Sequence, residues 1–468
     1  MSDWMNRPLP ETAAALRDGK LNARDLTEEA IARHKKWDAD LGAYKSWNTD
    51  YAREQADNAA QAFSTGQDNG PAQGIPFSVK DIYAAEGFKT FAGSPKALPA
   101  NWEKDGPLVA EVRDQGAVFP GKTHTVEFAF GGVGTNPHWP TPRNPWDADD
   151  HRAPGGSSSG AGVSLHEGSA SIAFGTDTGG SVRVPASYTG NVGLKTTKGR
   201  WSTDGITILS TSFDTPGILA KSVTDIAFGF SALDPAARAA RSPMIEAREV
   251  SGLKIGTTKD YFWERCQDDV AEVVENAIAE IVNAGATTSN VPMPEAADSI
   301  QVWGDGAIVA TEGYAFLQSR LPDWIETLDP NVRVRMEVAL KGKTLDYHGA
   351  LYRIQDLSAS VHAKLRQVDI LAVPTAPITP PKLSEVEDSE NYKTKNLLSL
   401  GNTMPGNVLG ICAVTLPAGL DKAGMPVGLQ LIAHPNREED LIAIALGIEK
   451  VVGTPKDRLG SPPLGGSL

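Results

Sequence analysis

Apolar positions along this chain fall into two rhythms that take turns from end to end. A helical spacing runs through 10–38 on Ala13, Leu16, Leu21, Leu26 and Ile31, with Gly19 as a break between two pieces. It returns at 48–63, 107–116, 223–233 behind a Ser222 cap, and 438–452. The clearest case is 269–284, where Val270, Val273, Val274, Ala277, Ile278, Ile281 and Val282 share one face and Gly285 stops the helix. Between these lie short apolar runs of strand length at 74–81, 117–119, 172–175, 191–194, 253–256, 368–373, 411–416 and 427–432. Such alternation predicts an α/β fold, a central mixed, largely parallel β-sheet covered by helices on both faces. The stretch 300–365 reads as mostly helical, with breaks at Leu321-Pro322 and Asp329-Pro330.

This pattern predicts an N-terminal helical segment at 1–70, a core at 71–240, a more variable, substrate-defining region of helices and strands at 241–366, the C-terminal part of the core sheet at 367–455, and a flexible tail at 456–468. No repeat of fixed period runs through it.

Composition narrows the function classes. The chain has 468 residues, and 44 Lys+Arg against 58 Asp+Glu leave a net charge of −14. That balance argues against nucleic acid or anionic membranes as partners. Two cysteines, Cys266 and Cys412, lack metal-ligand spacing, so neither a disulfide scaffold nor a zinc site is expected and a reducing cytoplasm is the predicted setting. The N-terminus has no apolar h-region, and no apolar run is long enough to span a bilayer.

Candidate chemistry concentrates in 155–186. Two Gly/Ser-dense turns, GGSSSG at 155–160 and GTDTGGS at 175–181, flank the apolar Ile172, Ala173 and Phe174. A helix over 157–167 would turn free N–H groups toward the site, and another begins near Ser181. The missing lysine of GxxxxGK[ST] and the unmatched GxGxxG argue against a phosphate cradle. The GxSxG elbow of a Ser-His-Asp hydrolase is absent, and His124, His151 and His166 have no partner context. Serine with lysine remains. A serine behind Thr178-Gly179-Gly180 would have backbone N–H groups ready for an oxyanion, and a desolvated lysine can act as its base. Lys80 ends an apolar strand, although by residue type alone a lysine there belongs on the surface.

These turns, read as GGSSSGAG and GTDTGGSVRVPA, together with GIPFSVKD at 74–81, resemble the amidase signature family. The likeness extends to PRNPWD at 142–147, GLKT at 193–196 and GMPVGLQ at 424–430, and so covers 10–452. The resemblance implies the amidase signature fold and amide hydrolysis through an acyl-enzyme, with no metal or organic cofactor. By position it assigns Ser181 as nucleophile and Ser157 as the bridging serine beside a cis peptide, at Gly156–Ser157 or the next bond. Lys80 is then the terminal base, and Thr178, Gly179 and Gly180, with Ser181, supply the oxyanion donors. Asp177 and Arg183 are expected to brace the loop more than to touch substrate. The family is often dimeric, so a homodimer is compatible.

Two readings compete within the resemblance: a free-standing amidase, or the glutaminase subunit of a tRNA-dependent amidotransferase. Val184 stands where the amidotransferase pattern GGSIRQPA has glutamine, and KTTKGR at 195–200 replaces KPTYGR. Leu400 stands where D-x-x-T-x-P-x-N carries the acidic residue that grips an ammonium, which favours the free-standing enzyme. An inactive scaffold is disfavoured because all three catalytic positions are filled. The acyl pocket is expected around Phe128, Phe130 and Gly131, for a small soluble amide or urea-like substrate. Trp303, Tyr314, Tyr347 and His348 lie in the variable region, where packing is the commoner role for such residues.

Overall fold

Strand Pro76–Lys80 shows how alternating side chains build two layers. Phe77 and Val79 enter the main apolar core. Ser78 points to the other face, where its hydroxyl meets Ser164 Oγ at 2.9 Å on the helix Ala161–Glu167. A computed structural model, describing residues 3–240, 244–305 and 307–466, extends this division across the chain.

Its strands are β1 (Tyr44–Trp47), β2 (Pro76–Lys80), β3 (Val118–Thr123), β4 (Ile172–Asp177), β5 (Val192–Lys195) and β6 (Thr215–Ala220), followed by β7 (Lys254–Thr257), β8 (Thr287–Asn290), β9 (Ile370–Pro374), β10 (Cys412–Leu420) and β11 (Pro426–Ala433). They form one eleven-stranded sheet in the order β1-β3-β2-β4-β6-β5-β10-β11-β9-β7-β8. On one face Ile172, Phe174 and Ile218 pack with the helix Val223–Leu233 in the main core. On the other, Ala173 and Leu219 are covered by Ala161, Leu165, Val182 and Ala186 of the neighbouring turns and helices. The same alternation holds farther along, where Cys412 and Val414 face the main core and Ala413 joins Leu371, Val373 and Val361 opposite.

The sheet is mixed, as expected, but its balance lies further toward antiparallel. Parallel pairing joins β2 to β3 and β4, and β7 to β8 and β9, while the other neighbours are antiparallel. Some strands carry little apolar signal. β8 reads TTSN and is exposed throughout; β6, antiparallel to both its neighbours, opens Thr-Pro-Gly. The helix Ser389–Leu400 is likewise hidden in a polar stretch, and is capped by Asp388, which accepts from the N–H groups of Glu390 and Asn391.

Two further expectations are corrected. The helix over 157–167 begins only at Ala161, because residues 157–159 spend their polar groups elsewhere. The Ser157 carbonyl accepts from Val126 N and Thr125 Oγ1, and Ser158 Oγ donates to the Ser181 carbonyl. The tail is anchored through 466: Leu464 N donates to Pro145 O, and Gly466 N to His166 O. Residues 467–468 lie outside the described chain. Among the described residues no helix is long and apolar enough to cross a membrane.

Candidate active site

β2 and β4 run parallel in the register Phe77↔Ile172, Ser78↔Ala173 and Val79↔Phe174. Their carboxyl ends therefore open at the same edge of the sheet, the usual place for a ligand site in an α/β protein. β2 delivers Lys80 there and β4 delivers Thr176 and Asp177. Lys80 is fully buried, and its Nζ donates to Ser157 Oγ at 2.7 Å and Thr176 Oγ1 at 2.8 Å. Burial pushes its pKa down to about 7, against the pull of the Asp214 and Asp177 carboxylates. A large share of such a lysine is uncharged at neutral pH and can accept a proton.

Ser157 follows a cis Gly156–Ser157 peptide. No side chain fits at Gly156, where a Cβ would come within 2.7 Å of Gly134 N. Ser181 lies on the wall of a cavity of about 140 Å³. No hydrogen bond joins its hydroxyl to Ser157 or to Lys80, so the structure brings together Lys80 and Ser157 but leaves the last link open. Such bonds commonly tighten only once substrate is bound.

The turn 178–181 presents donors. Among the described residues, the backbone N–H groups of Thr178, Gly179, Gly180 and Ser181 have no protein acceptor, whereas Val182 N and Arg183 N both donate to Asp177 Oδ2. Unpaired N–H groups in a buried turn are rare, and consecutive ones form an anion-binding nest. Gly180 is held at φ +138, with the place of a Cβ only 2.0 Å from Thr403 Oγ1, so glycine is required. Thr403 Oγ1 in turn donates to the Gly179 carbonyl at 2.7 Å.

Beneath the turn lies a closed polar network. Arg183 Nη2 donates to Asp177 Oδ1 at 2.8 Å and to Asn407 Oδ1 at 2.7 Å, and Nη1 donates to Gln430 Oε1 at 2.6 Å. Burial alone would raise the Asp177 carboxyl, but the Arg183 guanidinium outweighs it and holds the group at about 2. Neither residue lines the cavity, so both brace the turn. On the other side Asp214 accepts from Thr178 Oγ1 at 2.6 Å and from the N–H groups of Leu209 and Ser210.

Thr178, Gly179 and Ser181 share the cavity wall with Phe130, Gly131 and Trp303. Phe128, expected beside them, does not line it: its left-handed backbone (φ 46) turns the ring into the main core. Tyr314, Tyr347 and His348 are also absent from the lining, and Tyr347 Oη donates instead to Glu312 Oε1 at 2.7 Å. Among the described residues no histidine lines the cavity; His124 and His166 are buried and pushed down to about 4 and 3.

The family model described as Amidase matches residues 25–442. The chain belongs to the amidase family. It is an amide-cleaving hydrolase. It is 44% identical over 456 residues to 2-amino-5-chloromuconic acid deaminase of Comamonas testosteroni, covering 97% of this chain and 98% of that one. A glutamyl-tRNA(Gln) amidotransferase subunit from Geobacter sp. (strain M21) is 30% identical, over 93% of this chain and 95% of that one. A crystal structure of an amidase superposes with a TM-score of 0.85 at 29% identity, covering 95% of this chain and 99% of that one.

In this amidase several cavity residues carried no sequence signal. Arg335, Asn396 and Leu397 come from a helix of the variable region and from the helical stretch that follows it; Leu400, singled out in the sequence for the carboxylate it lacks, and Met404 of the same motif join them. Asn396 and Leu400 both lean on Gly132: Asn396 Oδ1 accepts its N–H at 2.6 Å, and Leu400 fills the place of a Cβ. Arg335 is the charged residue of the lining, and among the described residues no carboxylate pairs with it. Thr176 lies inside the second Gly/Ser-dense turn, yet nothing in its residue type marks it as a partner of Lys80. The described residues also bring His34, Asp38 and Glu167 within metal-ligand range of one another, away from the cavity lining, with His34 Nδ1 2.7 Å from Glu167 Oε1.

Proposed function

We propose that this chain is a free-standing amidohydrolase that opens the C–N bond of a small amide or urea-like compound through an ester on Ser181. Uncharged Lys80 takes the proton of Ser157, Ser157 takes that of Ser181, and Ser181 attacks the carbonyl carbon. The N–H groups of 178–181 hold the oxygen that becomes negative. The proton returns along the same path to the leaving nitrogen, ammonia or an amine departs, and water cleaves the ester. The observation that carries this reading is the buried Lys80, bonded to Ser157 at 2.7 Å and held near pKa 7. Apolar Leu400 in the cavity wall supports the free-standing reading, since it offers nothing to the ammonium of glutamine. The free thiols of Cys266 and Cys412 suit a reducing cytoplasm.

A second reading concerns the substrate. The relative at 44% identity is named a deaminase of an amino-substituted acid, and the Arg335 guanidinium, which no carboxylate pairs among the described residues, suits a carboxylate. On this reading water replaces ammonia on a carboxylate-bearing compound, with the same three residues moving protons. Ammonia release from aliphatic amides, aryl amides, ureides, glutamine and a 2-aminomuconate-type acid tests both. Simple amides as substrates support the first reading, and the acid alone supports the second. Turnover restricted to glutamine, or surviving Ser181→Ala, rejects both.

A further inference from the structure

Two walls of the cavity meet one another. One is the turn 127–131, which carries Phe130 and Gly131; the other is the short helix Pro330–Met336, which carries Arg335. The first is strained: Phe128 and Ala129 stand at φ +46 and +59, where side chains are disfavoured. Such a conformation persists only where neighbours hold it.

Two bonds cross from wall to wall. Arg335 Nη2 donates to the Phe130 carbonyl at 2.6 Å, with the guanidinium 4.4 Å from the Phe130 ring centre. At the other end, the Asp329 N–H donates to Glu127 Oε2 at 2.6 Å. Asp329 also caps the helix, its side chain accepting from Asn331 N at 2.9 Å. The Glu127 side chain is wholly buried, and its Oε1 has no hydrogen-bond partner, though His138 Nε2 lies 3.3 Å away. Close packing fixes its backbone as well, since a Cβ on Gly93 would come within 2.7 Å of Glu127 Cα. Burial raises the Glu127 carboxyl to about 8, so a neutral side chain does this work at neutral pH. A buried acid whose one hydrogen bond reaches a distant backbone is costly unless that bond holds something in place.

We propose that Glu127 is a positioning residue for the cavity: through the Asp329 N–H it locks the strained turn 127–131 to the start of the helix Pro330–Met336, and so fixes where the Arg335 guanidinium stands relative to Ser181. The proposal rests on the reading of Ser181 and Arg335 given above. Glu127 touches no substrate; it acts through the two walls.

The test uses the full chain and two readouts. Labelling of Ser181 by a small neutral fluorophosphonate reads the nucleophile, and protection from labelling by cis,cis-muconate reads Arg335. Hydrogen exchange over 329–336 reads the lock without any ligand. Glu127→Ala is expected to leave the labelling rate within about twofold, raise the muconate needed for half protection about tenfold, and speed exchange over 329–336. Glu127→Gln, whose carboxamide oxygen still accepts the Asp329 N–H, is expected to restore protection and exchange to near wild type. If the alanine variant fails to fold, Glu127→Met fills the space without an acceptor and takes its place. Unchanged exchange and unchanged protection in the acceptor-less variant would overturn the proposal, as would a glutamine variant no better than alanine. Wild-type protein that is never labelled would sink the Ser181 reading, and exchange alone would then decide the lock.

Discussion

Residues 153–197 are buried without exception, whereas the helix Thr344–Leu365 buries only Ala350, Val361 and Leu365 of its 22 residues. The first region holds Ser157, Ser181 and the donors of 178–181. The turn there is held from both sides, by the sheet and by the Asp177–Arg183 network. The second leaves Leu345 83% and Tyr352 68% exposed. The contrast teaches where this molecule tolerates change. On the reading proposed above, chemistry that needs sub-ångström placement sits where every neighbour restrains every other. The helix Thr344–Leu365 meets fewer restraints, and none of its residues lines the cavity.

The comparison can be broken most directly at its centre. Ser181→Ala and Lys80→Ala are each expected to lower turnover by about 10⁴-fold or more, and Ser157→Ala by about 10²–10⁴-fold, in ammonia-release assays on folded protein. Near-normal rates in either of the first two would remove the catalytic assignment. Asp177→Ala leaves Arg183 buried without its carboxylate, and should cost about 3–5 kcal/mol in denaturant unfolding. A loss below about 1 kcal/mol there would mean that the network does not brace the turn.

Smaller effects sharpen the boundary between the two regions. Arg335→Leu should raise KM for a carboxylate-bearing substrate about 10–100-fold with little change for a neutral amide. Equal effects on both would deny Arg335 a carboxylate. The pH profile follows from Lys80, which accepts a proton only when uncharged. kcat/KM should therefore rise with pH through about 7 and fall about tenfold for each unit below it. A flat profile from about pH 5.5 to 8 would contradict a lysine base. Smallest of all, Leu345→Ser should shift stability by less than about 0.5 kcal/mol and leave kcat/KM unchanged. A larger loss would show that the exposed helix is restrained by something the monomer lacks.

The local pattern was enough to read the helix Val223–Leu233 with its Ser222 cap, the helix at 269–284 and the apolar strands, because burial on one face leaves a period that propensity and spacing expose. The motifs around Lys80, Ser157 and Ser181 were legible for a related reason: glycine and serine are placed where only a missing Cβ or a hydroxyl will do. β8 and the helix Ser389–Leu400 were not legible, since polar elements at an edge or over a cavity leave no apolar period. What only the tertiary structure decided is how distant segments meet. Lys80 comes 2.7 Å from a serine 77 residues away, at the edge where the parallel β2 and β4 end together. Phe128 leaves the cavity because its backbone is left-handed, and Arg335 enters because a distant helix is tied to Phe130. Such contacts depend on register, backbone handedness and packing across hundreds of residues, which no local pattern encodes.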